Sequence, residues 1–95
     1  MPESEALRNL QEKYKRDLAV VLHEFENLEK ELEVNPAADR VLNQVRNRAH
    51  RLAGSSGTYG YAEISRVSRI LEYAKDSELR EKLTEVLSEL RRITG

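Results

Sequence analysis

The chain has 95 residues, enough for one domain of residues 1–95 with a modest core. Charged residues make up 35% and hydrophobic ones 39%, with four glycines and no tryptophan, a mix that suits a solvated helical bundle rather than a sheet protein. A net charge of −1 gives no bulk attraction for nucleic acid, no apolar run approaches membrane-spanning length, no signal peptide follows Met1, and the absence of cysteine excludes disulfides and thiolate metal sites and fits a cytoplasmic location.

The first helix is predicted from about Ser4, a candidate N-cap, to Glu33. Leu7, Leu10, Tyr14, Leu18, Val21, Phe25, Leu28 and Leu32 recur at spacings of three and four, which makes one apolar seam. Val34-Asn35-Pro36 ends it, because proline disfavours helical geometry in the residue before it. At about 1.5 Å per residue this helix would be about 45 Å long, longer than its partners. The second helix is predicted from Pro36 or Ala37 to Ser56, with Gly57-Thr58-Tyr59-Gly60 as its end and turn. Ala38, Val41, Leu42, Val45, Ala49, Leu52 and Ser56 form its inward face. A third helix spans about Ala62 to Lys75, with Ile64, Val67, Leu71 and Ala74 inward. Asp76-Ser77 is a cap and turn. The fourth runs from Glu78 to about Ile93 on Leu79, Leu83, Val86, Leu87, Leu90 and Ile93. Short connections favour antiparallel neighbours, so the expected fold is all-α, an antiparallel up-down four-helix bundle with a long N-terminal helix.

One stretch of the second helix stands apart. At about 100° per residue, His50 falls well off the core face, on a stripe with Asn43, Arg46, Asn47, Gly54 and Gly57. Helical side chains lean toward the N-terminus, so a residue at i+4 ordinarily covers residue i. Gly54 has no side chain to do so, and neither has Gly57 beyond it. Each glycine costs about 1 kcal/mol of helix stability relative to alanine. The pattern points to an imidazole on a rigid element that another protein can reach. A fraying, glycine-rich helix end beside an ordinary surface histidine is the plain alternative.

The residues His50-x-Leu52-x-Gly54-Ser55-Ser56-x-x-Tyr59-Gly60 resemble the phosphoacceptor motif of histidine-containing phosphotransfer (HPt) domains. The order of helices across nearly the whole chain is similar too. The resemblance implies that His50 is the phosphoacceptor. It implies a phosphocarrier of two-component phosphorelays, not a stand-alone kinase, with His50 exchanging a phosphoryl group with a receiver-domain aspartate. A response-regulator receiver, and a sensor or hybrid histidine kinase, are the implied partners. The chain itself needs no cofactor, since the receiver brings the divalent metal. Neither nucleic acid nor membrane insertion is expected, and the protein is expected to be a monomer. Histidine suits the chemistry because a side-chain pKa near about 6.5 leaves much neutral imidazole at pH 7.

The family pattern carries further expectations. Arg46, Asn47, Gly54 and Gly57 would form the phosphate and receiver docking surface. Leu52, Ser55, Ser56, Tyr59 and Gly60 would serve the packing of the motif, with Gly60 in a backbone conformation closed to other residues. One position departs: Ala53 stands where many members carry a lysine that steadies the phosphoryl group. Arg46, one turn before His50, is the candidate substitute; a solvated arginine is the plain reading. Arg51 is read as solvated and Arg48 as an ordinary ion pair. A non-phosphorylated helical interaction or dimerisation module, natural or engineered on the same scaffold, is the competing function. A degenerate module of that kind would lose the histidine, which this chain keeps.

Other motifs carry little. His23-Glu24-Phe25-Glu26-Asn27 resembles a zinc-protease helix whose second histidine is Asn27, which leaves too few ligands. No Lys-Ser/Thr follows the glycines at 54–60, so they form no P-loop. Glu24, Glu26, Glu29, Glu31 and Glu33 read as a solvated acidic face with local pairing from Lys30.

Overall fold

A computed structural model describes the backbone of residues 2–95 and the side chains of residues 5–95. The chain forms α1 (Pro2–Val34), α2 (Asp39–Thr58), α3 (Ala62–Tyr73) and α4 (Leu79–Thr94), with a 3-10 turn at Asp76–Glu78 ahead of α4. No strand occurs among the described residues. No described helix is long and apolar enough to cross a membrane.

The expected helices are all present, and their ends move for local reasons. Helix α1 starts at Pro2, where a missing N–H costs nothing. The side chain of Ser4, the expected cap, lies outside the described residues. Helix α2 starts at Asp39 instead of Pro36 or Ala37, because Asn35 turns the chain by accepting from the Ala38 N–H at 3.3 Å. Its far end runs through Gly57 to Thr58, two residues past the expected stop. There the Tyr61 N–H donates to Ser56 O at 2.8 Å and the Gly60 N–H to Gly57 O at 3.2 Å. That pair of bonds is the Schellman closure, which needs a left-handed residue. Gly60 supplies it with φ of 84°. Helix α3 stops at Tyr73, and Ala74 is extended and only half-buried.

Cross-helix pairs fix the topology. Tyr14 meets Ser55, Glu24 meets Arg48 and Glu31 meets Arg40, so α1 and α2 are antiparallel. His50 meets Glu72, and Ala53 O accepts from Ser65 Oγ, so α2 and α3 are antiparallel as well. Arg91 of α4 returns to Glu26 of α1. The core joins Leu18, Phe25 and Leu32 of α1 to Val45 and Ala49 of α2, Leu71 of α3, and Leu83, Leu87 and Leu90 of α4, all fully buried. Burying each such large side chain contributes about 1.5–3 kcal/mol before chain entropy is counted.

The α1 seam is longer than the core it serves. Thirty-three residues at about 1.5 Å make a helix of about 50 Å, matching the longest dimension of the fold, 50 Å. Leu7 and Leu10, expected in the seam, are each 49% exposed on the overhanging end. Just below them α1 is held to the α2–α3 turn. The Tyr14 ring stacks on Tyr59 at 4.5 Å, Gln11 Nε2 donates to Tyr59 O, and Tyr61 donates to Gln11 O.

Candidate functional site

His50 sits on α2 with its side chain 72% exposed. Its Nδ1 lies 2.6 Å from Oε1 of Glu72 on α3. A carboxylate can only accept, so the ring nitrogen donates. The neutral ring then carries its lone pair on Nε2. Glu72 is 16% exposed, a half-buried acceptor on a helix end rather than a loose surface acid. Sequence spacing did not mark it: the contact crosses 22 positions and two helices.

Arg46, one turn before His50, is engaged by the end of α3. Its guanidinium donates to Ala74 O at 2.6 Å and Glu72 O at 3.3 Å, and pairs with Asp76. The last carbonyls of a helix lack intrahelical partners, and a cation there also meets the negative end of the dipole. Arg46 therefore holds the end of α3 from which Glu72 reaches His50. Its effect on the imidazole is through position.

Position 53 explains itself in the same way. Ala53 is 4% exposed and faces α3, where its carbonyl accepts from Ser65 Oγ at 2.8 Å. The two glycines differ. A Cβ on Gly54 would meet nothing within 4 Å, so the space over His50 is open there. A Cβ on Gly57 would lie 3.3 Å from Ser65 Oγ, so this glycine serves the close approach of α3. Asn47 is exposed one turn before His50.

The remaining motif residues build the frame. Leu52 is 3% exposed and in the core. Ser56 is fully buried and donates to Leu52 O at 2.6 Å. Ser55 faces the other way and shares a 2.6 Å hydrogen bond with the Tyr14 hydroxyl. Tyr59 packs on Tyr14. Burial pushes the Tyr14 hydroxyl above its ordinary pKa, against the opposing effect of the Ser55 bond. Gly60 has the positive φ described above, and a Cβ there would also sit 2.8 Å from Gln11 Nε2.

The arginines flanking His50 separate. Arg48 turns to α1 and pairs with Glu24. Arg51 is exposed and lines a groove of about 300 Å³ between α1 and α2, floored by Val21 and Leu52. His23, by contrast, is 81% exposed and, among the described residues, pairs only with Glu26 on its own helix, at 3.4 Å. The acidic face of α1 proves less solvated than its composition indicates: Glu24, Glu26 and Glu31 reach Arg48, Arg91 and Arg40 on neighbouring helices.

No curated protein and no solved structure matches the chain. The Hpt domain family model matches residues 6–93, a span that takes in His50, the Glu72 that orients it and nearly all of the four helices, and the chain belongs to that family.

Proposed function

We propose that residues 1–95 act as one phosphotransfer module in which His50 accepts and donates a phosphoryl group, in exchange with an aspartate of a cytoplasmic receiver domain. The observation that carries this reading is the exposed imidazole whose Nδ1–H is held by Glu72. In the forward step the Nε2 lone pair attacks the phosphorus of a phosphoaspartate. The bond from phosphorus to the carboxylate oxygen breaks, and its electron pair leaves with the carboxylate. The Nδ1 proton stays on the ring, where Glu72 offsets the positive charge that develops. The reverse step regenerates phosphoaspartate and neutral imidazole. Such transfers depend on positioning and electrostatics more than on covalent help from the protein. The receiver supplies the divalent metal, and this chain supplies nucleophile, orientation and docking surface. It is a carrier, and a sensor or hybrid kinase stands upstream.

The test is label transfer from a panel of phosphorylated receivers. His50→Gln is expected to take no label and to melt within a few degrees of wild type, because an exposed side chain adds little to folding. His23→Gln is expected to take label normally. Label retained by His50→Gln refutes the assignment. The second reading, a non-phosphorylated interaction module, draws on Leu7 and Leu10, half-exposed at the free end of α1. It becomes the better account if the wild type takes no label from any receiver.

A further inference from the structure

A specific protein interface covers about 800 Å² on each partner. The exposed face of α2 offers a strip of about 30 Å by 10 Å, well short of that. A partner that reaches His50 must therefore rest on a neighbouring helix as well. The two neighbours are not equivalent. On the α1 flank a groove of about 300 Å³ opens beside α2, and Arg48 bridges it to Glu24. On the α3 flank Ala53, Gly57 and Ser65 bring the helices together, and Glu72 holds His50. There α2 and α3 present one continuous surface.

That surface carries what an interface uses. Outward from Ser65, the exposed face of α3 is a shallow depression of about 470 Å³ lined by Ala62, Ser65, Arg66, Arg69, Ile70 and Tyr73. Tyr73 is 76% exposed and Ile70 37%, the two large apolar side chains left open on this helix. Arg66 pairs with Glu63 along the helix. Among the described residues Arg69 has no such partner, since Glu72, the acid one turn on, is engaged by His50. Tyrosine and arginine are the residue types that most often dominate binding energy. On the α3 side of the His50 face Asn43, Asn47, Gly54 and Gly57 are uncharged and Glu72 is acidic, so the cation this flank offers a partner is Arg69 of α3.

We propose that the receiver domain docks astride α2 and α3, with Arg69, Ile70 and Tyr73 as the residues that select it. The proposal rests on the phosphotransfer reading and names the surface by which that same site is recognised. The partner patch it fits is acidic around an apolar centre, next to the phosphoaspartate. Arg69 meets the acid, and Ile70 with Tyr73 covers the apolar part. A charge at the rim acts mainly on encounter and on salt dependence, an aromatic anchor mainly on residence.

Phosphoramidate separates docking from chemistry. It phosphorylates imidazole directly, releasing ammonia, so each variant can be charged without a receiver. Transfer from the charged protein is then followed against receiver concentration, using a receiver that exchanges with the wild type. Arg69→Glu and Tyr73→Ala are expected to raise the half-saturating concentration about tenfold each, with the rate at saturation within about twofold. The Arg69→Glu effect is expected to shrink as salt rises. Val20→Ala, an exposed apolar position on α1 away from the strip, is expected to change nothing. Melting temperatures of all three should stay close to wild type. Unchanged half-saturation for both α3 variants, with transfer intact, overturns the docking surface and leaves the phosphotransfer reading standing. A charged wild type that passes label to no receiver brings down both.

Discussion

The two flanks of α2 solve the same packing problem in opposite ways. Toward α3 the contact is made of small residues: Ala53, Gly57 and Ser65. Toward α1 it is made of large ones, the Tyr14–Tyr59 stack and the Arg48–Glu24 pair, with a groove between them. Small residues allow two backbones to approach and hold side chains in register across the seam. That is what an oriented histidine needs, and His50 with Glu72 lies on that flank. Long side chains tolerate separation and serve as struts. The oriented histidine lies on the close seam, and the struts keep α1 upright behind it.

The comparison breaks most visibly at Leu52, which belongs to both the core and the groove floor. Leu52→Asp removes a core leucine and puts a carboxylate in its place, at a cost on the order of the whole stability of a small domain, about 5 kcal/mol or more. Far-UV circular dichroism is expected to show an unfolded chain at 25 °C. Cooperative melting at the wild-type temperature would show that α2 is turned differently.

The two glycines sharpen the contrast at a smaller scale. Gly57→Leu gains about 1 kcal/mol of helix propensity but drives a side chain toward Ser65, whose hydroxyl is pinned to Ala53 O. Overpacking there costs about 1–3 kcal/mol, so a net loss of stability is expected. Gly54→Leu meets open space and should gain about 0.5–1 kcal/mol. Denaturant melts of the pair decide this: equal shifts in the same direction would mean that the α2–α3 seam is not tight at Gly57.

The struts respond last and least. Tyr14→Phe removes the hydrogen bond to Ser55 and is expected to cost about 1 kcal/mol at neutral pH. Because burial holds the Tyr14 hydroxyl above its ordinary value of 10.0, its contribution is complete below pH 10 and is lost as pH rises beyond it. Wild-type stability should therefore fall more steeply than that of Tyr14→Phe as pH rises above 10. Parallel slopes in urea titrations at those pH values would place the hydroxyl in water.

Much of this was legible beforehand. The three-four spacing of Leu18, Phe25, Leu28 and Leu32, and of Leu79, Leu83, Val86 and Leu90, predicts helices and inward faces that the fold keeps. Gly60 was readable as a special backbone position, because only glycine adopts φ of 84° without strain. Periodicity failed at Leu7 and Leu10, since a seam states which side is apolar and not whether another helix reaches that far. It also misses that Gly57 lies against Ser65, because a helical projection measures angle around one axis and has no knowledge of the neighbouring helix.

The sequence by itself determined four amphipathic helices, their order, and an exposed histidine on the second, because those are properties of residue spacing along one chain segment. Only the tertiary structure decided what touches that histidine. Glu72 on its Nδ1, Arg46 drawn off to cap α3, and Ala53 turned into a close seam are all relations between helices. Their physical basis is the meeting of side chains 12 to 28 positions apart, which the local periodicity of one chain cannot encode.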